Sequence, residues 1–93
     1  MEFSAREFSA RIVVSLRPSV LDPAGTAVQH SLHQLGYSSV EGVRIGKNIT
    51  LTLQATNADA ARQDVEAMCE KLLTNPVIEN YTIEIEPVAA PVA

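Results

Sequence analysis

Aromatic residues are scarce: Phe3, Phe8, Tyr37 and Tyr81 are the four, and tryptophan is absent. A core without large rings has to be built from Val, Ile, Leu and Ala. Positive charge is also in short supply, with seven Lys and Arg against eleven Asp and Glu and a net charge of −4. That balance excludes sequence-independent binding to nucleic acid or anionic lipid, both of which need a basic footprint. The single cysteine, Cys69, forms no internal disulfide, as expected of a reducing compartment. No apolar run approaches the ~18 residues that span a bilayer. Nor does the N-terminus place a basic stretch before an apolar one, so no secretory signal is visible and a cytoplasmic location is expected.

What is present is a globular composition, 46% hydrophobic and 19% charged. Ninety-three residues suit one domain. A chain this small buries only about 60–65% of its unfolded surface, and self-association is a common remedy. Residues 1–10 repeat Glu-Phe-Ser-Ala at Glu2–Ala5 and Glu7–Ala10, and are expected to form an extension outside the fold. Residues 11–86 are the expected domain. Residues 87–93, with two prolines and no periodicity, are expected to be a flexible tail.

The domain reads as strand, helix, strand, strand, helix, strand. Over Arg11–Arg17, Ile12, Val14 and Leu16 alternate with Val13, Ser15 and Arg17. Asp22-Pro23 then opens a helix, with Asp22 as cap and Pro23 at the first helical position. Val28, Leu32 and Leu35 make its apolar stripe, and Gly36 stops it in the left-handed conformation. Val40–Ile45 and Ile49–Leu53 are expected strands, joined by a tight turn at Gly46-Lys47-Asn48. A second helix is expected over Ala58–Thr74, with Thr56, Asn57 and Asp59 as start signals. Ala61, Val65, Met68, Cys69 and Leu72 form its stripe, and Asn75-Pro76 ends it. In the last strand, Glu79–Glu86, Tyr81, Ile83 and Ile85 face in. This order implies an α+β, ferredoxin-like βαββαβ sandwich: a four-stranded antiparallel sheet with both helices on one face and the other face open and polar.

Three spaced motifs carry a resemblance. Val20-Leu21-Asp22-Pro23-Ala24-Gly25-Thr26-Ala27-Val28, continued by Leu35-Gly36-Tyr37, resembles the helix-opening motif of the PurS family. Val43-Arg44-Ile45-Gly46-Lys47 resembles its hairpin. Cys69-Glu70-Lys71-Leu72-Leu73-Thr74-Asn75-Pro76-Val77-Ile78-Glu79 resembles its second helix end and the lead into the last strand. The likeness runs from Arg11 to Glu86; the two ends depart from it. It implies a non-catalytic subunit of phosphoribosylformylglycinamidine (FGAM) synthase in purine biosynthesis. Such a subunit associates with itself as a dimer or tetramer and joins the glutaminase PurQ to the ATP-dependent synthetase PurL. Ammonia from glutamine then passes between them while formylglycinamide ribonucleotide is converted to formylglycinamidine ribonucleotide. On this reading the chain needs no cofactor of its own, and ATP and magnesium belong to the synthetase.

The residues themselves point the same way. His30 and His33 lie three apart on one helix, but Cys69 is on another and no carboxylate cluster completes a metal site. A buried Cys69 is a poor nucleophile, because an apolar setting raises a thiol's pKa. Gly46-Lys47 lacks the further glycines and the following helix of a phosphate loop. Glu84 and Glu86 share a strand face about 7 Å apart without a third acid and read as solvated.

The candidate contact residues are Asp22, Pro23, Gly25, Arg44, Gly46 and Lys47. Arg44 and Lys47 put two cations at one turn of an acidic chain, which reads either as a solvated turn or as a contact with an acidic patch on a partner. Gly25, costly inside a first helical turn, reads either as a close backbone approach, such as a helix–partner contact, or as an exposed turn that touches nothing. Self-association is expected through the polar sheet face or an exposed strand edge. The main alternative is an ACT-like regulatory domain that binds a small molecule. An RNA-binding module would need aromatics where Val13, Ser15, Thr50 and Thr52 stand. A small phosphatase of this fold would need a glycine-rich loop where Arg17-Pro18-Ser19-Val20 stands.

Overall fold

The computed structural model describes residues 6–88. Three strands form its sheet: β1 (Arg6–Leu16), β2 (Lys47–Ala55) and β3 (Glu79–Pro87), in the order β2-β1-β3. Both pairings are antiparallel, and Ile12 of the central strand stands opposite Ile49 and Ile83. Alternation makes one face apolar. Phe8, Ala10, Ile12 and Val14 are buried there, flanked by half-buried Ile49, Leu51, Leu53, Tyr81, Ile83 and Ile85. The opposite face carries Arg11, Thr50, Thr52, Glu84 and Glu86 in solvent. Arg11 and Glu84 pair across it at 2.7 Å; an ion pair this exposed is worth ~1 kcal/mol or less.

β1 starts five residues before the expected Arg11. Phe8 and Ala10 keep the inward alternation and pack with Ala55, Ala61 and β3, so residues 6–10 belong to the sheet. Residues 1–5 and 89–93 of the expected extension and tail lie outside the described residues.

The helix α2 (Ala58–Met68) lies across the apolar face. Asn57 caps it, its Oδ1 accepting from the Ala60 N–H at 2.8 Å, and Ala61 and Val65 are fully buried. The expected single helix to Thr74 is divided here. Cys69–Leu73 forms one wider π-helical turn, closed where the Cys69 carbonyl accepts from both the N–H and the hydroxyl of Thr74. The extra residue in that turn rotates the side chains after it about the helix axis. Leu73, not Leu72, therefore meets the core, and Leu72 is 81% exposed. Asn75 holds no left-handed conformation; the exit is an Asx turn in which its Oδ1 accepts from the Val77 N–H. Cys69 is buried and its thiol is pushed up, mainly by loss of solvation. Tyr81 donates to Glu70 at 2.8 Å, which is the chief reason its phenol is pushed up to about 12.

The helix α1 (Pro23–Gln34) is where the structure departs most from expectation. It packs against no strand and not against α2, so only one helix covers the sheet. Val40–Ile45 is not a strand, and Gly46-Lys47-Asn48 is not a hairpin turn, since Lys47 already begins β2. Among the described residues the sheet has three strands, not four. The cause is local: the backbone of residues 40–45 is engaged by α1. Val40 O lies 2.7 Å from His33 Nε2, and the Ile45 N–H donates to Asp22 at 2.8 Å. The result is an elongated molecule. Its radius of gyration is 18.1 Å, against about 12 Å for a compact domain of this length.

Candidate functional site

The expected contact residues Asp22, Gly25, Arg44 and Gly46 are drawn together at the junction of β1, α1 and β2. Asp22, only 5% exposed, is its centre. Oδ1 accepts from the Gly25 N–H at 2.9 Å and so caps α1, while Oδ2 accepts from the Ile45 N–H at 2.8 Å and pins the returning segment. The carboxyl sits below its usual range, held there first by the Ile45 bond, then by the Gly25 bond, against the opposing effect of desolvation and with a smaller pull from Arg44.

Gly25 is buried because the returning chain crosses the helix at this point. A Cβ there would stand 2.2 Å from the Val43 carbonyl oxygen. The expected close approach is thus to this chain's own backbone. Gly46 has the same role where the chain joins β1, since a Cβ there would stand 2.2 Å from the Val14 carbonyl oxygen.

Arg44 is exposed, but its side chain is bonded to the chain's own backbone rather than free on the sheet face. Its guanidinium donates to the carbonyls of Arg17 and Val20, each at 2.9 Å, and closes the turn between β1 and α1. Arg17 extends the network: its N–H donates to Ile78 O at 2.8 Å and its side chain donates to Pro76 O. Pro23 and Lys47 border the junction with exposed side chains. Lys47, Gly46 and Ile45 line a shallow cavity with Val14, Leu16 and Glu79. Chemically the junction is a clamp. Both Asp22 oxygens are taken up by backbone N–H groups, and among the described residues no group of three His, Cys, Asp or Glu side chains is placed to hold a metal ion.

The clamp fixes how α1 leaves the sheet, and this exposes residues that helical periodicity assigns to the core. Val28 is 40% and Leu35 72% exposed, and Leu32 is half-buried. Leu21 before the helix and Tyr37 after it are also exposed. Gly36 ends the helix as expected, at φ +102°, with the Tyr37 N–H donating to Leu32 O at 3.0 Å. One signal in the sequence marks this helix as unusual. Pro23–Gln34 contains no Asp, Glu, Lys or Arg, whereas α2 carries Asp59, Arg62, Asp64 and Glu66. Among the described residues no helix is long and apolar enough to cross a membrane.

Comparison with known proteins places this architecture. Residues 9–87 match the family described as PurS, phosphoribosylformylglycinamidine (FGAM) synthase. The chain is 58% identical over 81 residues to the FGAM synthase subunit PurS of Synechocystis sp., covering 87% of this chain and 81% of that one. The PurS structure of Bacillus subtilis is similar at a TM-score of 0.76 and 49% identity, covering 85% of this chain and 98% of that one. The PurLQS structure of Thermotoga maritima contains a chain similar at a TM-score of 0.76 and 35% identity, with 88% and 98% covered. A match that begins in β1, crosses the Asp22 clamp and ends on the last residue of β3 leaves one assignment: the chain belongs to the PurS family of FGAM synthase subunits.

Proposed function

We infer that this chain is the small subunit of FGAM synthase, a glutamine-dependent carbon–nitrogen ligase of purine biosynthesis, and that it joins the PurL synthetase to the PurQ glutaminase. The family match over residues 9–87 carries this reading. The three subunits named in the Thermotoga maritima complex identify the expected partners. The chain's role is adaptation, not chemistry: the polar cluster around Asp22 is a backbone clamp, and Cys69 is buried with its thiol pushed up. ATP and magnesium are assigned to the synthetase, and the assembly to the cytoplasm. Of the four exposed members of the six candidate residues, Arg44 and Gly46 are engaged with the chain's own backbone, and we assign partner contact to Pro23 and Lys47. Asp22, Gly25, Arg44 and Gly46 shape the surface on which those two stand.

Self-association belongs to the same reading. The expected ferredoxin-like sandwich has four strands and two helices on one face, and the described residues supply three strands and one helix on that face. On this reading the sandwich is completed between copies.

Reconstitution tests the adaptor role. The chain is added to the synthetase and glutaminase subunits, and product is followed with glutamine and, separately, with ammonium as nitrogen source. Glutamine-dependent synthesis is expected to require the chain, and ammonium-dependent synthesis to proceed without it. If the chain changes neither, the adaptor reading fails.

A further inference from the structure

Two of the three sequence motifs, the one opening α1 and Val43–Lys47, meet in the Asp22 clamp. The third, Cys69–Glu79, lies outside the clamp but at the same end of the sheet. Leu16, closing β1, pairs with Glu79, opening β3, and β2 begins beside them at Lys47, opposite Val14. Two loops leave this end, residues 17–22 after β1 and residues 74–78 before β3. Arg17 ties them together. Its N–H donates to Ile78 O, its side chain donates to Pro76 O, and its own carbonyl accepts from Arg44 and from the Val20 N–H. Asn75 braces the second loop from within: its Oδ1 accepts from the Val77 N–H, its carbonyl accepts from the Ile78 N–H, and its N–H donates to Glu79.

These braced loops hold apolar side chains out in water. Leu21, Leu72 and Val77 are the most exposed large apolar side chains of the described residues, at 84%, 81% and 79%. Leu21 precedes the Asp22 cap, Leu72 sits in the π turn, and Val77 is in the loop that follows it. Apolar groups presented on an ordered backbone bind at a low cost in conformational entropy.

Positive charge gathers at the same end of a chain whose net charge is −4. Both of its lysines, Lys47 and Lys71, stand here with Arg17, all three exposed. The one ion pair among the described residues is Arg11–Glu84 on the polar sheet face, so these three cations are paired with no carboxylate there. The acids around them are engaged within the chain: Asp22 accepts from Gly25 and Ile45, Glu70 from Tyr81, and Glu79 from Asn75. Glu7, Asp59 and Glu86 lie at the opposite end, where β2 runs into α2.

We propose that this end of the sheet is a docking surface for a larger subunit of the complex, with Leu21, Leu72 and Val77 as anchors in apolar recesses and Arg17, Lys47 and Lys71 against a carboxylate rim. Apolar anchors inside a charged border are the usual anatomy of a specific interface. A second copy fits it poorly. A two-fold contact through this end sets cations against cations, and a contact with a copy's acidic end joins chains head to tail rather than as a closed pair. The assignment rests on the adaptor reading above and extends it from Pro23 and Lys47 to the third motif.

Sedimentation velocity tests it, with the chain titrated into the purified synthetase and glutaminase subunits in the presence of glutamine and magnesium ATP. The Leu21→Ser, Val77→Ser double variant is expected to associate about thirtyfold more weakly, as for loss of anchor residues. Its far-ultraviolet spectrum and its sedimentation when alone are expected to match those of the unmodified chain. The Lys47→Glu, Lys71→Glu double variant is expected to weaken the same association and to flatten its salt dependence. Thr52→Asp, on the polar sheet face, is expected to associate as the unmodified chain does. If either double variant associates as tightly as the unmodified chain, or Thr52→Asp weakens association equally, the surface assignment is overturned and the adaptor reading stands. A shift in the sedimentation of the Leu21→Ser, Val77→Ser variant alone places the anchors between copies and also overturns it. An unmodified chain that joins neither subunit overturns the adaptor reading itself.

Discussion

Asp22 receives two backbone N–H donors on two oxygens, so its stabilising effect depends on its charge. The sign follows from its lowered pKa. The unfolded chain takes up a proton near the ordinary value of 3.8 and the folded chain only below it. The contribution is therefore complete above that value and drains away as pH falls through the folded one. Asp22→Asn puts an amide N–H against one of the two donors. Urea midpoints measured from neutral pH down to about pH 2 should show a lower plateau for the variant and a shallower fall in the acid limb. Gly25→Ala tests the same clamp by steric means. Its methyl would meet backbone at Val43 rather than a side chain that can swing away, and a loss of about 1–3 kcal/mol is expected from chemical denaturation.

At the scale of elements, the π turn decides which leucine is inside. Leu73→Ala should cost about 2 kcal/mol and Leu72→Ala under ~0.5 kcal/mol, as read from denaturant midpoints. Straight α-helical periodicity through Val65 and Cys69 gives the opposite ranking. The contrast shows where the sequence was legible. Alternation in β1, β2 and β3, the Asp22 cap, the start of α2 within Thr56–Asp59 and the Gly36 stop were readable because each rests on neighbours in the chain. Gly25 stood out as costly in a first helical turn, but whether anything approached it was not readable, because the Val43 carbonyl lies beyond the far end of α1 in the chain. The bulge at Cys69 rests on a Thr74 hydroxyl that also has an ordinary reading as a helix-end residue. Val40–Ile45 misled because three apolar residues at near-strand spacing say nothing of which groups their backbone will bond; Asp22 and His33 claim them. The stripe of α1 was visible as apolar, but periodicity cannot tell whether a helix packs on its own sheet.

At the scale of the molecule, the elongated shape ties stability to concentration. If α1 is sheltered only between copies, the thermal midpoint should rise as the chain is concentrated, by mass action on the dimer. Differential scanning calorimetry over a hundredfold concentration range checks this, and a midpoint that stays constant while the chain remains monomeric would count against it. The sheet order carries a separate consequence, for synthesis. β1 is made first yet lies in the centre, and its neighbours begin at Lys47 and Glu79. On the ribosome, Phe8, Ile12 and Val14 emerge long before anything can flank them on both sides. The nascent chain can pair β1 with β2 and cover it with α2 first, but one edge of its central strand stays unpaired until β3 clears the exit tunnel.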